Sequence, residues 1–359
     1  MSRPITAHIQ LDAFRDNYRL AKRLHGGKAL AVIKANAYGH GALACAKAVQ
    51  DEADAFAVAS LEEALQLREA GIKNPILLLE GFFDAAELAD IVANNLWIVI
   101  HAEWQLAVFL AAKLAKPVHV WLKLDSGMHR IGFLEQAYQQ AHAKLAGHAN
   151  VARIVHMTHF ANADVVSSTH TNQQIALFEQ TLESLPVAEE MSLANSAAVL
   201  SWPQSYRHWS RPGIMLYGAN PVVGNTARLR PVMTLSSSLI SIRTIQAGES
   251  VGYGGIFTAD KPTTVGVVAC GYADGYPRAA LGAPVLVAGC LTKLIGRVSM
   301  DMLCVDLTEI PNAQIGSPVE LWGDAVQANE VAKCAGTIAY ELFCNVKRVT
   351  FNYSDTERL

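Results

Sequence analysis

Residues 31–42, AVIKANAYGHGA, run from an apolar segment through a single lysine into small residues and two glycines. The apolar segment has the unbroken hydrophobicity of a strand buried on both faces, as in a parallel sheet. HGALACAKAVQ, which follows, has the period of an amphipathic helix. Lys34 therefore ends a buried strand with no acidic residue beside it. A lysine in such a place ordinarily packs its stem and extends its ammonium to water, and this stretch by itself favours that interpretation.

The same alternation of strand and helix continues from residue 28 to about residue 218. Seven further apolar segments follow the first, with amphipathic segments between them: AFAVAS, PILLLEG, LWIVIH, VHVWLKLDSG, ARIVHMTHF, MSLANS and WSRPGIMLYG. Eight buried strands, each followed by a helical segment, predict an α/β fold of the (β/α)8 TIM-barrel type. Ser60 and Glu63 also form the capping-box pattern at the start of one of the helices, SLEEALQLREAG.

Beyond residue 230 the pattern changes to strand-like segments separated by glycine and proline turns, which is typical of antiparallel sheets. ANEVAKCAGTIAYELF is the one segment there with a helical pattern. We therefore predict two domains. The first is the barrel, residues 1–230, and the second is a mostly antiparallel β domain, residues 231–359.

Composition excludes several classes of function. The chain has 359 residues, of which 51% are hydrophobic and 17% charged, and a formal net charge of −3. Without a basic run it offers no surface for nucleic acid or for an anionic membrane. No apolar stretch approaches the roughly 20 residues that span a bilayer, and MSRPITAHIQ is not a signal peptide.

The cysteines and histidines predict neither disulfides nor a metal site. Six cysteines are scattered without CxxC spacing, so we expect reduced thiols in the core of a cytoplasmic protein. His156 and His159 lie three residues apart in HMTH, where the two side chains of a strand point to opposite faces. They cannot chelate one ion together.

Polar residues recur where the predicted barrel strands end. Each has an ordinary structural explanation by itself, such as a helix cap, a core histidine or a surface ion pair. In a barrel, however, the carboxyl ends of the strands share one face, which is where the chemistry of such folds takes place. The residues that gather there are Lys34, Lys123, Arg130, His159, Asn195, Ser196, Arg211 and Gly213.

A dinucleotide-binding fingerprint is a competing interpretation. GHGALA, residues 39–44, fits the pattern G-x-G-x-x-A, and Glu62 follows about 20 residues later. Against this, four residues separate Lys34 from the first glycine, so the strand does not run straight into the turn. Eight strand–helix units also exceed the six of a doubly wound sheet. A nicotinamide-dependent enzyme remains the alternative from another class.

Several motifs together resemble the alanine racemase family of pyridoxal phosphate enzymes. They are VIKANAYGHG, WSRPGIMLYGA, VGYGG, GYADGYPR and GRVSMDM, and their order and spacing extend the resemblance over essentially the whole chain. The resemblance implies a barrel followed by a β domain, and a homodimer in which the β domain completes the partner's active site. It implies interconversion of L- and D-alanine, for peptidoglycan synthesis or for alanine catabolism.

The resemblance also implies catalytic roles. Lys34 forms the Schiff base with the cofactor and, once freed, acts as a base on one face of the substrate. Tyr253, from the partner subunit, acts on the other face, with His159 and Arg130 as positive neighbours that favour its phenolate. Arg211 donates a hydrogen bond to the pyridine nitrogen, because arginine keeps its proton. An arginine there makes a weaker electron sink than a carboxylate, which favours proton exchange over transamination.

The remaining matches concern binding. For the cofactor and its phosphate they are Tyr38, His159, Asn195, Ser196, Gly213 and Ile214, and for the substrate carboxylate Arg130 and the N–H of Met300, with Asp301 nearby. Lys123 matches a lysine that is carbamylated in some relatives. Asp164, Tyr272, Arg278 and Arg297 match residues along a narrow access corridor. Thr350 stands where proline is usual, and no phosphate-facing residue can be assigned near it.

Two further hypotheses keep the cofactor but change the function. Decarboxylation or aldol cleavage on a similar barrel predicts an acid in the place of Arg211. A protein that only stores or delivers pyridoxal phosphate predicts a barrel without the segment 231–359 and without Tyr253. Both predictions disagree with the sequence.

Overall fold

The computed structural model describes residues 3–183, 185 and 189–355. Its larger unit is a closed barrel of eight parallel strands, in which the last strand pairs with the first. This confirms the predicted (β/α)8 fold, and each strand overlaps one of the eight predicted segments. The strands are β2 (Lys28–Val32), β3 (Ala55–Val58), β4 (Ile76–Leu78), β5 (Leu96–Ile100), β6 (Val118–Lys123), β7 (Val151–Met157), β8 (Glu190–Asn195) and β9 (Trp209–Arg211).

Helices connect the barrel strands, and one of these elements, α2, is a short left-handed turn. They are α1 (Leu11–His25), α2 (Lys34–Tyr38), α3 (Ala42–Val49), α4 (Leu61–Glu69), α5 (Glu87–Ala93), α6 (Glu103–Ala111), α7 (Glu135–Leu145), α8 (His170–Glu183) and α9 (Ser196–Ser201), with 3₁₀ turns at Pro203–Ser205 and Ile214–Tyr217. Apolar side chains fill the barrel and the layer beneath the helices, and this core continues into the second unit.

The predicted capping box at α4 is wrong. Ser60 is the N-cap residue, but its side chain accepts no hydrogen bond from the first turn. The Glu63 carboxylate turns away from the helix and accepts the N–H groups of Ala35 and Ala59 instead. The sequence pattern predicted the start of α4 correctly, but the binding partners that it predicted for Glu63 were wrong.

The second unit is an eight-stranded, mostly antiparallel sheet with the order β13-β16-β15-β14-β17-β10-β1-β18. Its elements are β1 (Thr6–Gln10), β10 (Met233–Ile245), β13 (Thr263–Val268), β14 (Pro284–Val287), β15 (Cys290–Ile295), β16 (Leu303–Asp306), β17 (Pro318–Trp322), β18 (Thr350–Ser354), the ribbon of β11 (Ser250–Val251) and β12 (Phe257–Thr258), and 3₁₀ turns at Tyr253–Gly255 and Tyr272–Asp274.

The first strand of the chain lies in this second sheet. β1 pairs antiparallel with β10 and parallel with β18, whereas the sequence prediction assigned residues 1–230 to the barrel. Ala7 and Ile9 are buried and alternate with less buried neighbours, as expected of a sheet that packs one face. The chain therefore crosses from the β unit into the barrel at residue 10, and the boundary at 230/231 stays a prediction.

The single helical segment predicted near the C-terminus is two helices, α10 (Ala328–Ala335) and α11 (Ala339–Asn345). Gly336 separates them with a φ of 69°, the left-handed conformation that ends a helix. The break lets α11 turn back onto α2 of the barrel. The periodicity of the sequence continued across this glycine, which is why the prediction joined the two.

The cysteines are free thiols, but they are not all in the core as predicted. Cys45 and Cys270 are buried, Cys304 is half-buried, and Cys290, Cys334 and Cys344 are exposed. The apolar residues next to each cysteine in the sequence do not indicate on which face of a strand or helix the thiol lies. Within the described residues, no helix combines the length and the apolar character needed to cross a bilayer.

Candidate active site

Lys34 lies in an unusual backbone turn at the mouth of the barrel. β2 ends at Val32, and residues 35–38 then adopt φ angles between 50° and 54°, so they form one left-handed helical turn. None of the four is glycine, and the left-handed conformation costs about 1–2 kcal/mol for each such residue. The turn places half-buried Lys34 at its start and buried Tyr38 at its end. The surrounding structure must hold it in this shape.

The glycines after this turn explain the dinucleotide-like pattern. A Cβ at Gly39 would overlap the carbonyl oxygen of Phe343, and one at Gly41 would overlap the hydroxyl of Tyr353. Both glycines thus allow the C-terminal unit to pack closely on the barrel. Together with the closed eight-stranded barrel, this shows that the nicotinamide interpretation is wrong.

Arg211 is a buried cation anchored by backbone oxygen atoms. Its Nη1 donates to the carbonyl oxygen of Ser192 at 2.9 Å and its Nη2 to that of Thr158 at 2.5 Å. Among the described residues it has no acidic partner. Burial lowers its pKa to about 10, which leaves the guanidinium protonated at neutral pH. The barrel mouth therefore carries a permanent positive charge.

Further cations surround Arg211. Lys123 is 6% exposed, and burial, followed by the charges of Arg211 and Arg130, lowers its pKa to about 7. Burial and the charges of Arg211, Lys123, Arg130 and Lys34 lower the pKa of His159 well below its usual range. The structure thus brings these five predicted site residues together at one end of the barrel. The lowered pKa of His159 disfavours its charged form, and its predicted role beside a phenolate stays a prediction.

A cradle of small and hydroxyl groups lies beside the cations. The hydroxyl oxygen of Ser196 accepts the N–H groups of Gly213 at 2.8 Å and of Met215 at 3.3 Å, and its own O–H remains available as a donor. A Cβ at Gly213 would lie 2.6 Å from the Tyr38 hydroxyl, so only glycine fits there. Hydroxyls, backbone N–H groups and nearby cations form a suitable environment for an anionic group such as a phosphate.

Asn195 acts locally as a helix cap. Its side-chain oxygen accepts the N–H of Ala198 at 3.0 Å at the start of α9. This bond fixes the first turn of the helix, in which Ser196 is the first residue.

Most of the other predicted residues lie on the C-terminal unit. Tyr253 is 67% exposed and Met300 53% exposed, and Arg297 lies beside the turn that holds Tyr253. The Asp301 carboxylate accepts a bond from Arg348 at 2.9 Å. Tyr272, Arg278 and, at the barrel, Asp164 are exposed. No hydrogen bond or ion pair between described residues joins Tyr253, Met300 or Arg297 to Lys34 or Arg211.

Two residues of the barrel mouth were missed by the sequence reasoning. The ring of Tyr340, on α11, packs on that of Tyr38 with 5.7 Å between centroids, and burial raises the pKa of Tyr340. Glu63 reaches the N–H next to Lys34. The helical period around Tyr340 and the capping pattern around Glu63 were both visible, but neither indicates a contact with a distant turn.

A separate polar cluster lies away from the barrel mouth. The Nε2 atoms of His142 and His156 lie 3.0 and 2.6 Å from one oxygen of Glu189, and the Tyr138 hydroxyl lies 2.5 Å from Nδ1 of His156. The cluster has the composition of a metal site, but its groups already satisfy one another by hydrogen bonds.

The chain matches a known protein family and several known proteins over nearly its whole length. The model of the alanine racemase N-terminal domain matches residues 9–221, and that of the C-terminal domain matches residues 232–353. The protein described as "Alanine racemase, catabolic" from Pseudomonas putida is 59% identical over 355 residues, which are 98% of this chain and 99% of that protein. The alanine racemase of Pseudomonas entomophila is 58% identical over 351 residues, 97% of this chain and 98% of that one.

Solved structures agree with the fold. The biosynthetic alanine racemase from Pseudomonas aeruginosa superposes with a TM-score of 0.94 at 49% identity and covers 98% of this chain and 99% of that chain. The alanine racemase from Bartonella henselae, solved with covalently bound pyridoxal phosphate, has a TM-score of 0.87 at 30% identity and covers 98% and 99% of the two chains.

Proposed function

Because the chain belongs to the alanine racemase family, we propose that it interconverts L- and D-alanine with two bases, Lys34 of one subunit and Tyr253 of the partner subunit. One of them takes the Cα proton and the other donates a proton to the opposite face. As a member of that family the protein is an amino-acid isomerase, and its cofactor is pyridoxal phosphate. The two-base mechanism, the site residues and the homodimer are the parts that we propose here.

The residues at the barrel mouth fit this cofactor. Bound through its aldehyde to an amine, pyridoxal phosphate withdraws electrons from the amino acid and so acidifies the Cα–H. In the resting enzyme Lys34 would hold the aldehyde and would give it up to the amine of the amino acid. The phosphate would fit the cradle in which a Cβ at Gly213 has no room and the Ser196 hydroxyl is free to donate. The residues proposed to hold the cofactor are Lys34, Tyr38, His159, Asn195, Ser196, Arg211, Gly213 and Ile214.

Arg211 is the residue that favours one reaction type over the others. Its guanidinium is buried, anchored by the carbonyl oxygens of Ser192 and Thr158, and without an acidic partner among the described residues. A permanently protonated guanidinium can donate a hydrogen bond to an unprotonated pyridine nitrogen but cannot accept one from a protonated nitrogen, so it would keep the ring unprotonated and a weak electron sink. This supports simple proton exchange at Cα over decarboxylation, aldol cleavage or transamination.

Racemisation requires a proton donor on each face of the substrate. A single base tends to return its proton to the face from which it took it. Lys34 serves one face. We assign the other face to Tyr253, which is 67% exposed on a turn of the C-terminal unit, where a second copy of the chain can cover it. The proposal therefore includes a homodimer in which each site takes residues from both subunits.

Substrate recognition follows from the same arrangement. Arg130 is exposed and makes no hydrogen bond or ion pair with described residues, so it is free to bind the alanine carboxylate with the N–H of Met300. Asp301 is close by but its carboxylate already binds Arg348, which makes its role indirect. The proposed corridor residues are Asp164, Tyr272, Arg278 and Arg297, and a narrow corridor selects a methyl side chain.

Lys123 is a proposed carbamylation site. Its pKa of about 7 gives a large neutral fraction at neutral pH, and the neutral amine is the form that reacts. The neutral nitrogen adds to the carbon of carbon dioxide and releases one proton, so the neutral amine becomes an anionic carbamate. That anion would lie between Arg130 and Arg211 and hold Arg130 in place. Mass spectrometry of the intact protein with and without bicarbonate tests the modification.

For the cellular role we propose D-alanine supply for peptidoglycan or alanine catabolism, in the cytoplasm. A deletion strain that needs added D-alanine to grow supports supply. A strain that grows normally but cannot use alanine as its carbon source supports catabolism.

One experiment tests the chemistry directly. Borohydride reduction of the holoenzyme, followed by peptide mapping, is expected to place the cofactor adduct on Lys34. D-alanine formation from L-alanine is then compared among the wild type, Lys34→Ala and Tyr253→Phe. Both variants are expected to lose activity, and full activity in either of them would remove the two-base mechanism.

A further inference from the structure

The carboxylate of Glu63 joins two strand ends at the barrel mouth. One oxygen accepts the N–H of Ala35 at 2.6 Å, and the other accepts the N–H of Ala59 at 2.7 Å. Ala35 follows Lys34 directly, and Ala59 follows the last residue of β3. A carboxylate that accepts backbone N–H groups forms bonds about twice as strong as neutral ones. Glu63 is therefore a bridge between the backbone next to Lys34 and the neighbouring barrel strand.

The backbone next to Lys34 needs such a bridge. Residues 35–38 are all left-handed and none is glycine, so the turn persists only where its surroundings determine it. Inside the turn, Ala37 N–H donates to the carbonyl oxygen of Ile33 at 2.8 Å. On its far side, Asn36 accepts the N–H of Ala42 at 2.9 Å. On the strand side, Glu63 is the side chain that holds the first N–H of the turn.

We infer that Glu63 is a positioning residue: its bridge fixes the left-handed turn so that the Lys34 amine and the Tyr38 hydroxyl are presented together. The turn is the covalent link between these two side chains, so a change in its first residue moves both. Glu63 touches neither the cofactor nor the substrate in this scheme. The inference rests on the proposed function, because it gives the turn a purpose only if Lys34 binds the cofactor.

The test compares Glu63→Gln with Glu62→Gln. Glutamine at position 63 can accept only one of the two N–H groups, and its amide then presents a donor to the other. Glu62 is the matched control, since it is the adjacent exposed glutamate in the same helical turn and loses the same charge near the helix N-terminus. Cofactor-free protein is mixed with pyridoxal phosphate, and the borohydride-trapped adduct on Lys34 is followed over time.

We expect the rate of adduct formation to fall about tenfold in Glu63→Gln, which corresponds to the free energy of one charge-assisted hydrogen bond. In Glu62→Gln the rate should equal that of the wild type. Hydrogen exchange of the peptides that contain Ala35 and Ala59 should accelerate in Glu63→Gln, while the other barrel strands stay protected. The kcat should fall about tenfold with a smaller change in KM, because the loss concerns alignment of the base and not substrate binding.

Equal adduct rates and equal exchange in the two variants would overturn the inference. If the wild type itself formed no adduct on Lys34, the proposed function would fail instead, so the two failures are distinguishable. If Glu63→Gln did not fold, Glu63→Asp replaces it, because that variant keeps the charge and shortens the reach by one carbon. A wild-type rate in Glu63→Asp would likewise contradict a positioning role.

Discussion

Nη2 of Arg211 donates to the backbone carbonyl oxygen of Thr158 at 2.5 Å, across the gap between the eighth and sixth barrel strands. Thr158 is fully buried, and its hydroxyl is 2.7 Å from that of Ser126. The guanidinium is thus held by the barrel wall itself and not by a carboxylate. Its anchors are backbone carbonyl oxygens together with the Ser192 hydroxyl at 2.6 Å, so the barrel wall fixes the position of the cation. An acid in the place of Arg211 would therefore change the chemistry of the site directly.

Arg211→Glu is expected to change the outcome of the reaction. A carboxylate can keep a proton on the pyridine nitrogen, and the stronger electron sink then favours reprotonation at the cofactor over return to Cα. D-alanine formation should fall by about a hundredfold, the range of a lost electrostatic contact, while pyruvate formation from L-alanine rises. Coupled lactate dehydrogenase measures the pyruvate. Arg211→Gln is the control: it should lose activity without gaining pyruvate, and equal pyruvate in both variants would contradict the argument.

Lys34→Ala and Tyr253→Phe should complement each other if the site is shared between subunits. Each variant is expected to be inactive by itself. After mixing, dissociation and reassociation, half of the dimers are mixed, and each of these has one site with both wild-type residues. Activity should therefore return to about one quarter of the wild-type value per subunit. A mixture that stays inactive, with mixed dimers verified by native mass spectrometry, would show that both groups come from the same chain.

The barrel was predictable from the sequence because its signal is local. Each strand such as β5 is a continuous apolar run, and each following helix has its own amphipathic period, so no long-range information is needed. The residues at the strand ends then follow from the geometry of the fold. Lys34, His159 and Arg211 converge as expected because parallel strands all end on the same face.

What the sequence did not predict depends on contacts between distant segments. β1 joins a sheet whose other strands come more than 200 residues later, and nothing in TAHIQ indicates that partner. The left-handed turn at residues 35–38 has no glycine, so the usual signal for positive φ was missing. Glu63 fitted a helix cap in its own segment, while its real partners lie in two other segments.

Lys123 should make stability depend on pH. Its pKa is about 7 in the folded protein and near 10.5 when unfolded, so between these values the unfolded chain binds more protons. Stability of the wild type relative to Lys123→Met should therefore rise with pH from about 7 to about 10, by up to about 5 kcal/mol. Urea unfolding in carbonate-free buffer, at fixed protein concentration and several pH values, measures this difference. A difference that is constant with pH would show that the buried lysine keeps its proton.

Thr350→Pro should weaken the junction between the two ends of the chain. The N–H of Thr350 donates to the carbonyl oxygen of Ile5 at 3.2 Å, where β18 runs parallel to β1, and proline has no N–H to donate. The loss leaves the Ile5 oxygen without that donor and should lower the free energy of unfolding by about 1–3 kcal/mol. Thr350→Val is the control, since it keeps both the N–H and the branched side chain that suits a strand. Urea unfolding of the two variants compares them directly, and equal midpoints would mean that this bond does not stabilise the sheet. The racemase activity at low temperature should stay unchanged in both, because β18 contributes none of the proposed catalytic residues.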